Sequence, residues 1–393
     1  MNVLCGLDIL QQQDFRTLRG RKIGLLCNQA SINKNYEHII SVMLPFHDRK
    51  QFTIQAVFGP QHGLWGHTQD NMIEWEGYHD KYTGLTIYSL YGQHRKPTPE
   101  MLRGVDLFVA DLQDVGSRYY TFMWTMALAM EACQEAGIPV LVLDRPNPIS
   151  GERAAGTVLD PQFSSFVGLY PLPQRHAMTL GEIALYLKEN YFSDLDLKIV
   201  KMKAWKRRMY FAETGVPWAV PSPNMPAWET AVVYPGMCLL EATNISEGRG
   251  TTRPFETFGA PWISGRTLSK RLNQLELPGV FFRPIQYLPT FDKYQDQICE
   301  GAFIHVTDRD RFKPVLTTLA LLQEIQNLYP SEFEWVPPPY EYEYEKLPID
   351  ILLGNGWLRQ MIMDMTPLPE IEETLNREII SFEPVRQKYL MYG

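Results

Sequence analysis

Short apolar runs, bounded by Gly, Pro or Asn and ending on polar side chains, constrain this chain more than any other feature. They are Lys22-Ile-Gly-Leu-Leu-Cys27, Phe52-Thr-Ile-Gln-Ala-Val-Phe58, Leu85-Thr-Ile-Tyr-Ser-Leu90, Leu107-Phe-Val-Ala-Asp111 and Ile138-Pro-Val-Leu-Val-Leu143. Their β-branched and aromatic content predicts buried strands. Between the last two, Phe122, Met126, Ala129, Met130 and Cys133 recur at helical spacing, and Gly137 stands where a helix stops. Thr179-Leu-Gly-Glu182 is a capping box that opens a second helix, and Leu197–Val200 is a further strand. Strands alternating with helices imply a mostly parallel sheet covered on both faces. The expectation is an α/β protein with a doubly wound domain over residues 1–204.

Residues 205–262 carry Pro217, Pro221, Pro223, Pro226 and Pro235 among Trp205, Trp218, Trp228 and Trp262. This stretch reads as irregular, aromatic-lined backbone leading into a second, smaller α/β domain over 205–393. There, helices are predicted over 268–275 and 315–329, and strands over 280–285 and 302–306. The alternation Tyr340-Glu-Tyr-Glu-Tyr-Glu345 reads as a solvated loop or edge strand, followed by two shorter helices.

The chain has 393 residues with 37 Lys+Arg against 45 Asp+Glu, a net charge of −8. That balance argues against a general nucleic-acid binder, whose phosphate contacts need clustered cations. No run of apolar residues is long enough to predict a membrane span. Cys5, Cys27, Cys133, Cys238 and Cys299 are widely spaced and form no CxxC pair, as expected of free buried thiols in a reducing compartment. The start, MNVLCGLDILQQQDF, lacks the basic and apolar regions of a secretory signal. The expectation is a cytoplasmic protein if the chain is whole, and a secreted or periplasmic one if a leader has been removed.

In an open α/β sheet, ligands bind outside the carboxyl ends of the strands. The polar residues that follow each strand are therefore the site candidates: Asn28 and Gln29; Gly59-Pro-Gln-His-Gly63; Asp111-Leu-Gln-Asp114 through Arg118 and Tyr120; and Asp144-Arg-Pro-Asn147. Arg175-His176 precedes the Thr179 helix. No GxGxxG or GxxxxGK[ST] is present, so no nucleotide cofactor is expected. His62, His67 and His79 match no metal-ligand spacing and read as hydrogen-bonding loop residues. Ser246-Glu-Gly-Arg-Gly-Thr-Thr252 is either a tight turn or a backbone nest with Arg249 gripping an anion. Carboxylates, amides and aromatics without thiol or cofactor suit glycoside hydrolysis best.

The order PQHG (60–63), YSLYG (88–92), RKPTPEML (95–102), DLQDVGSRYYT (111–121), LDRPNP (143–148), SFVGLYPLPQRH (165–176) and SEGRGTTRPFETFGAPW (246–262) strongly resembles the NamZ-type exo-β-N-acetylmuramidases. The resemblance is collinear over most of the chain. It implies a Rossmann-like domain without nucleotide, a smaller C-terminal α/β domain, and a site in the cleft between them. It also implies release of terminal N-acetylmuramic acid from the non-reducing end of peptidoglycan fragments, with neither cofactor nor metal. The lactyl carboxylate of that sugar calls for an arginine, and Arg118, Arg175 and Arg249 are the candidates. Asn28, Asp111, Gln113 and Asn147 would serve its hydroxyl and acetamido groups, with Gln61, His62, Tyr120, His176 and Thr251 as further binding candidates.

One residue departs from the family pattern. The motif commonly reads PEHG, its glutamate the leading candidate for acid/base, and here the position is Gln61. An amide cannot donate a proton as a carboxylic acid does. Glu74 or Glu247 is the expected replacement, with Asp114 orienting a partner or stabilising positive charge. The alternatives are a sugar-binding protein on the same fold without catalysis, and an anion-binding transferase or phosphate-ester enzyme built on the Arg249 loop.

Overall fold

The computed structural model describes residues 2–70 and 72–393. Twelve strands are described: β1 (Lys22–Cys27), β2 (Thr53–Gly59), β3 (Tyr78–His79), β4 (Thr86–Ser89), β5 (Leu107–Asp111), β6 (Val140–Leu143), β7 (Ala155–Val158), β8 (Pro173–Arg175), β9 (Leu197–Val200), β10 (Thr257–Ala260), β11 (Val280–Tyr287) and β12 (Cys299–Val306). The predicted alternation of strands and helices is present. Seven strands form one sheet in the order β3-β4-β2-β1-β5-β6-β9. All its pairings are parallel except β3 with β4.

β1 lies at the centre because its side chains are apolar on both faces. Leu25 pairs with Val57 of β2 on one side and Val109 of β5 on the other. The chain runs outward from β1 through β2 to β4, then crosses back to β5. Strand order therefore reverses at β1, and the loops after β2 and β5 flank that reversal, where such sheets hold their ligands. The helix Phe122–Ala136 buries most of its length and ends on Gly137 at φ 66°. The helix Leu180–Asn190 carries the predicted capping box, with Thr179 and Glu182 each bonding the other's backbone N–H.

Residues 205–262 hold more regular structure than the proline content suggests. A helix spans Trp228–Met237 and β10 closes the stretch. Pro235 is tolerated near the helix end, and Gly236 lets the backbone approach Pro314, whose carbonyl a Cβ would meet at 2.1 Å. β10, β12 and β11 make the antiparallel sheet of the second unit, backed by helices Gly265–Gln274 and Pro314–Leu328. The tail contains three helices rather than two, the last of 20 residues from Leu368 to Gln387.

That tail returns to the first unit. Arg386 donates to the carbonyls of Gly151 and Ala177, Met391 N–H to Glu182, and Tyr392 OH to Asp144 Oδ2 at 2.6 Å. Asp144 also accepts from Thr179 Oγ1 and the Gly181 amide, both at 2.8 Å. Burial pushes its carboxyl up to about 6, offset in part by these donors. A hydrogen bond to a charged group contributes about 1.5–3 kcal/mol. Tyr392→Phe should therefore lower stability by about that amount at pH 8, read as a fall in the urea midpoint without change in slope.

Candidate active site

Gly59, Pro60, Gln61 and His62 leave the end of β2 in a turn packed on Trp75. Its indole N–H donates to the Pro60 carbonyl at 3.0 Å. A Cβ on Gly59 would lie 2.7 Å from the Trp75 ring, so only glycine fits. From the end of β5, the loop to the Phe122 helix presents Tyr119, Tyr120 and Thr121. With residues of the second unit these side chains line one pocket.

The second unit supplies Tyr234, Glu241, Arg249, Phe255, Tyr340 and Glu341 to the same wall. The 337–345 segment departs from the solvated reading. Tyr340 and Glu343 exchange backbone hydrogen bonds at 2.9 Å, closing a tight turn with Glu341 and Tyr342 at its tip. Both tip residues have positive φ, 44° and 68°, a conformation usually left to Asn-Gly. The turn drives Glu341 into the protein, where it is 3% exposed. Its Oε2 accepts from Tyr91 OH at 2.8 Å, and its Oε1 from Gln61 Nε2 at 3.3 Å. Gln61 Oε1 in turn accepts from Thr121 Oγ1 at 2.6 Å. Burial pushes the Glu341 carboxyl up to about 7, the nearby Glu241 adding to the effect and the two donors opposing it.

Glu241 sits in a different environment. Its Oε1 accepts from Arg249 Nη2 at 2.7 Å and its Oε2 from Tyr340 OH at 2.5 Å. His62 also lines the pocket. Burial lowers its pKa to about 4, so the ring is neutral near pH 7. Its Nδ1 lies 2.8 Å from the Thr68 carbonyl and carries the proton, which leaves Nε2 an acceptor.

Of the residues named from sequence, Gln61, His62, Tyr120 and Arg249 line the pocket. Glu74 and Glu247 do not. Glu74 is half exposed and pairs with Arg95 at 3.8 Å. The Arg95 guanidinium stacks 3.4 Å from the centre of the Tyr342 ring, so Glu74 forms the outer end of a brace on the Glu341 turn. Glu247 is buried between Arg249 Nε at 3.1 Å and Lys293 Nζ at 2.9 Å. Burial raises its pKa, but the two cations outweigh that and hold it below the usual range, which suits structural pairing and not proton donation. Asp114 is buried next to Tyr120, accepting from the Gly116 amide at 2.6 Å and from His176 Nε2 at 3.1 Å.

Two of the three arginines are occupied elsewhere. Arg118 is buried and donates to the carbonyls of Thr157, Leu172 and Leu352. Arg175 donates to the Ile149 carbonyl and borders a separate groove near Leu375. The remaining candidates build the rim beneath the pocket. Asn28 holds the Pro221 carbonyl at 2.9 Å, so the 217–226 segment lies across the strand ends and delivers Ser222 and Asn224 to the wall. Asp111 forms a two-point ion pair with Arg145 at 2.5 and 2.8 Å. Gln113 and Asn147 tie neighbouring carbonyls, those of Asp114 and Pro146 and that of Met178. The glycine-rich segment is a tight turn in which Thr251 Oγ1 donates to the Gly248 carbonyl, and it points Arg249 at two glutamates. Sequence reasoning missed Glu241, Glu341, Thr121 and Tyr91. The proline triplet before Tyr340 was the one local sign that the acidic stretch is held in a fixed path.

Comparison with known proteins agrees with this architecture. A family model described as exo-β-N-acetylmuramidase NamZ, N-terminal, matches residues 23–229, and its C-terminal counterpart matches residues 232–392. The chain belongs to the NamZ exo-β-N-acetylmuramidase family. It is 45% identical over 390 residues, 99% of this chain and 91% of the relative, to peptidoglycan β-N-acetylmuramidase NamZ of Bacillus subtilis (strain 168). Two crystal structures of DUF1343 family proteins from Bacteroides fragilis NCTC 9343 superpose with TM-scores of 0.88 and 0.79, at 32% and 27% identity. Each match covers 100% of this chain and 99% of the other.

The Glu341 environment has a thermodynamic signature. The folded protein holds this proton more tightly than the unfolded chain, whose glutamate titrates near 4.5, so stability falls as pH rises from about 4.5 to about 7. Glutamine does not titrate. Between pH 4 and pH 8 the stability difference should shift in favour of Glu341→Gln by up to about 3 kcal/mol, read from urea midpoints at both pH values.

Proposed function

We propose that this protein is a glycoside hydrolase that releases terminal N-acetylmuramic acid from the non-reducing end of peptidoglycan fragments. One observation carries the reading: a pocket at the switch point of the sheet is lined by two carboxyl groups in different environments, Glu241 paired with Arg249 and Glu341 hydrogen-bonded to the neutral Gln61 and Tyr91. Glycoside hydrolysis uses a pair of carboxyl groups in different roles.

The wall chemistry supports a saccharide. Tyr119, Tyr120, Tyr234 and Phe255 offer aromatic faces for the ring, and Thr121, Ser222 and Asn224 offer hydroxyl and amide groups. Of the three arginine candidates, Arg249 is the one on the wall, and we assign it to the lactyl carboxylate.

Incubated with the disaccharide N-acetylmuramyl-β-1,4-N-acetylglucosamine, the purified protein should release both monosaccharides. It should leave fragments capped at the non-reducing end by N-acetylglucosamine intact. Arg249→Gln should narrow the preference for muramyl over glucosaminyl aryl glycosides by tenfold or more in kcat/KM, about the discrimination expected of one charged contact. Cleavage within capped chains, or no release of muramic acid, would contradict the assignment.

A further inference from the structure

The sequence resemblance implies an acid/base candidate at position 61, which in this chain is Gln61, and the structure shows what stands against it. The side chain that meets the Gln61 amide is a carboxyl from the other unit, Glu341, 280 residues further along. We propose that Glu341 is the catalytic acid of this enzyme, donating the proton that Gln61 cannot. Gln61 is a positioning residue fixed by Thr121. The inference rests on the muramidase reading and adds to it which residue carries the proton and which unit delivers it.

Three independent features point the same way. The first is placement. Glu341 and Gln61 line the same pocket, while Glu74 is half exposed outside it and Glu247 is locked between two cations. The second is backbone conformation. Glu341 and Tyr342 both adopt the left-handed region, which non-glycine residues rarely enter unless their surroundings enforce it. The enforcement is visible: Arg95 clamps Tyr342, and Tyr91 holds the Glu341 carboxyl. A turn serving only to reverse the chain would carry Asn or Gly there. The third is chemical state. Both hydrogen-bond partners of the Glu341 carboxyl are neutral, an amide and a phenol, while Glu241 and Arg95 act on it from further off in opposite directions. A second carboxylate at position 61 would have to share one proton with Glu341. The amide leaves that proton to Glu341 alone.

In the step assigned to it, the Glu341 carboxylic acid gives its proton to the glycosidic oxygen as the bond from C1 to that oxygen breaks. The bonding pair stays on the oxygen, which leaves as the 4-hydroxyl of the next sugar. Water forms the new bond to C1 and loses one proton, and that proton restores Glu341 to its acid form.

The test compares two substrates that differ only in leaving group: the muramyl-N-acetylglucosamine disaccharide and the 4-nitrophenyl β-muramide, whose phenolate departs without help. Glu341→Gln should lower kcat/KM on the disaccharide by about 10²–10⁴, the range for loss of a general acid. The loss on the aryl glycoside should be tenfold or less. The wild-type disaccharide profile should fall on its alkaline side with an apparent pKa near 7, a limb absent from the variant. Should Glu341→Gln fail to fold, Tyr91→Phe serves instead: it removes a hydrogen bond that favours the carboxylate, so that limb should move to higher pH. Equal losses on both substrates, retained activity, or a limb indifferent to Tyr91→Phe would overturn the assignment of Glu341 alone. A wild-type protein inert on both substrates would overturn the muramidase reading as well.

Discussion

The contact of Glu341 with Tyr91 and Gln61 is where the two halves of this molecule become one site. Tyr91 and Gln61 extend from neighbouring parallel strands, β4 and β2, and Glu341 comes from a turn in the second unit. Neither half holds the pocket alone. The sheet supplies a rim of loop tips, and the second unit supplies the carboxyl groups that face it. An uncompensated buried carboxyl is costly, so the contact requires both donors. Those donors in turn require the register of β2 with β4, which pairs Gly59 with Ser89 and sets Gln61 and Tyr91 side by side.

Around this contact the protein uses charge mainly as scaffolding. Arg145 with Asp111, Arg207 with Glu182 and Lys293 with Glu247 are all largely buried pairs. Breaking one partner of such a pair leaves a lone charge in a poor solvent for it, which is why these groups fix geometry strongly. Arg118 does the same work through neutral partners, three carbonyls from three segments, including one from the C-terminal region. The polar residues that crowd the strand ends therefore divide into a load of internal ties and a smaller set that faces the pocket.

That division explains what was legible in the sequence. The sheet was readable because β-branched runs and a capping box act locally, and the rim was readable because parallel strands all end on one side. The roles of the rim residues were not. Asn28 and Asn147 look like sugar ligands from residue type, yet each is spent on a backbone carbonyl, Asn28's 193 residues away and Asn147's 31. Arg118 and Arg175 look like carboxylate forks for the same reason. Glu341 was hidden by the opposite error. A Tyr/Glu alternation has the period of an exposed strand, and only tertiary contact with Tyr91, 250 residues earlier, turns one of its acids inward.

The return of the C-terminal tail bears on how the two units are joined. The chain crosses into the second unit near residue 230 and comes back to the first through Arg386, Met391 and Tyr392. Any relative motion of the two units therefore has to be shared by both connections. The tail thus ties the two units at a point far along the chain from the crossover that first joins them.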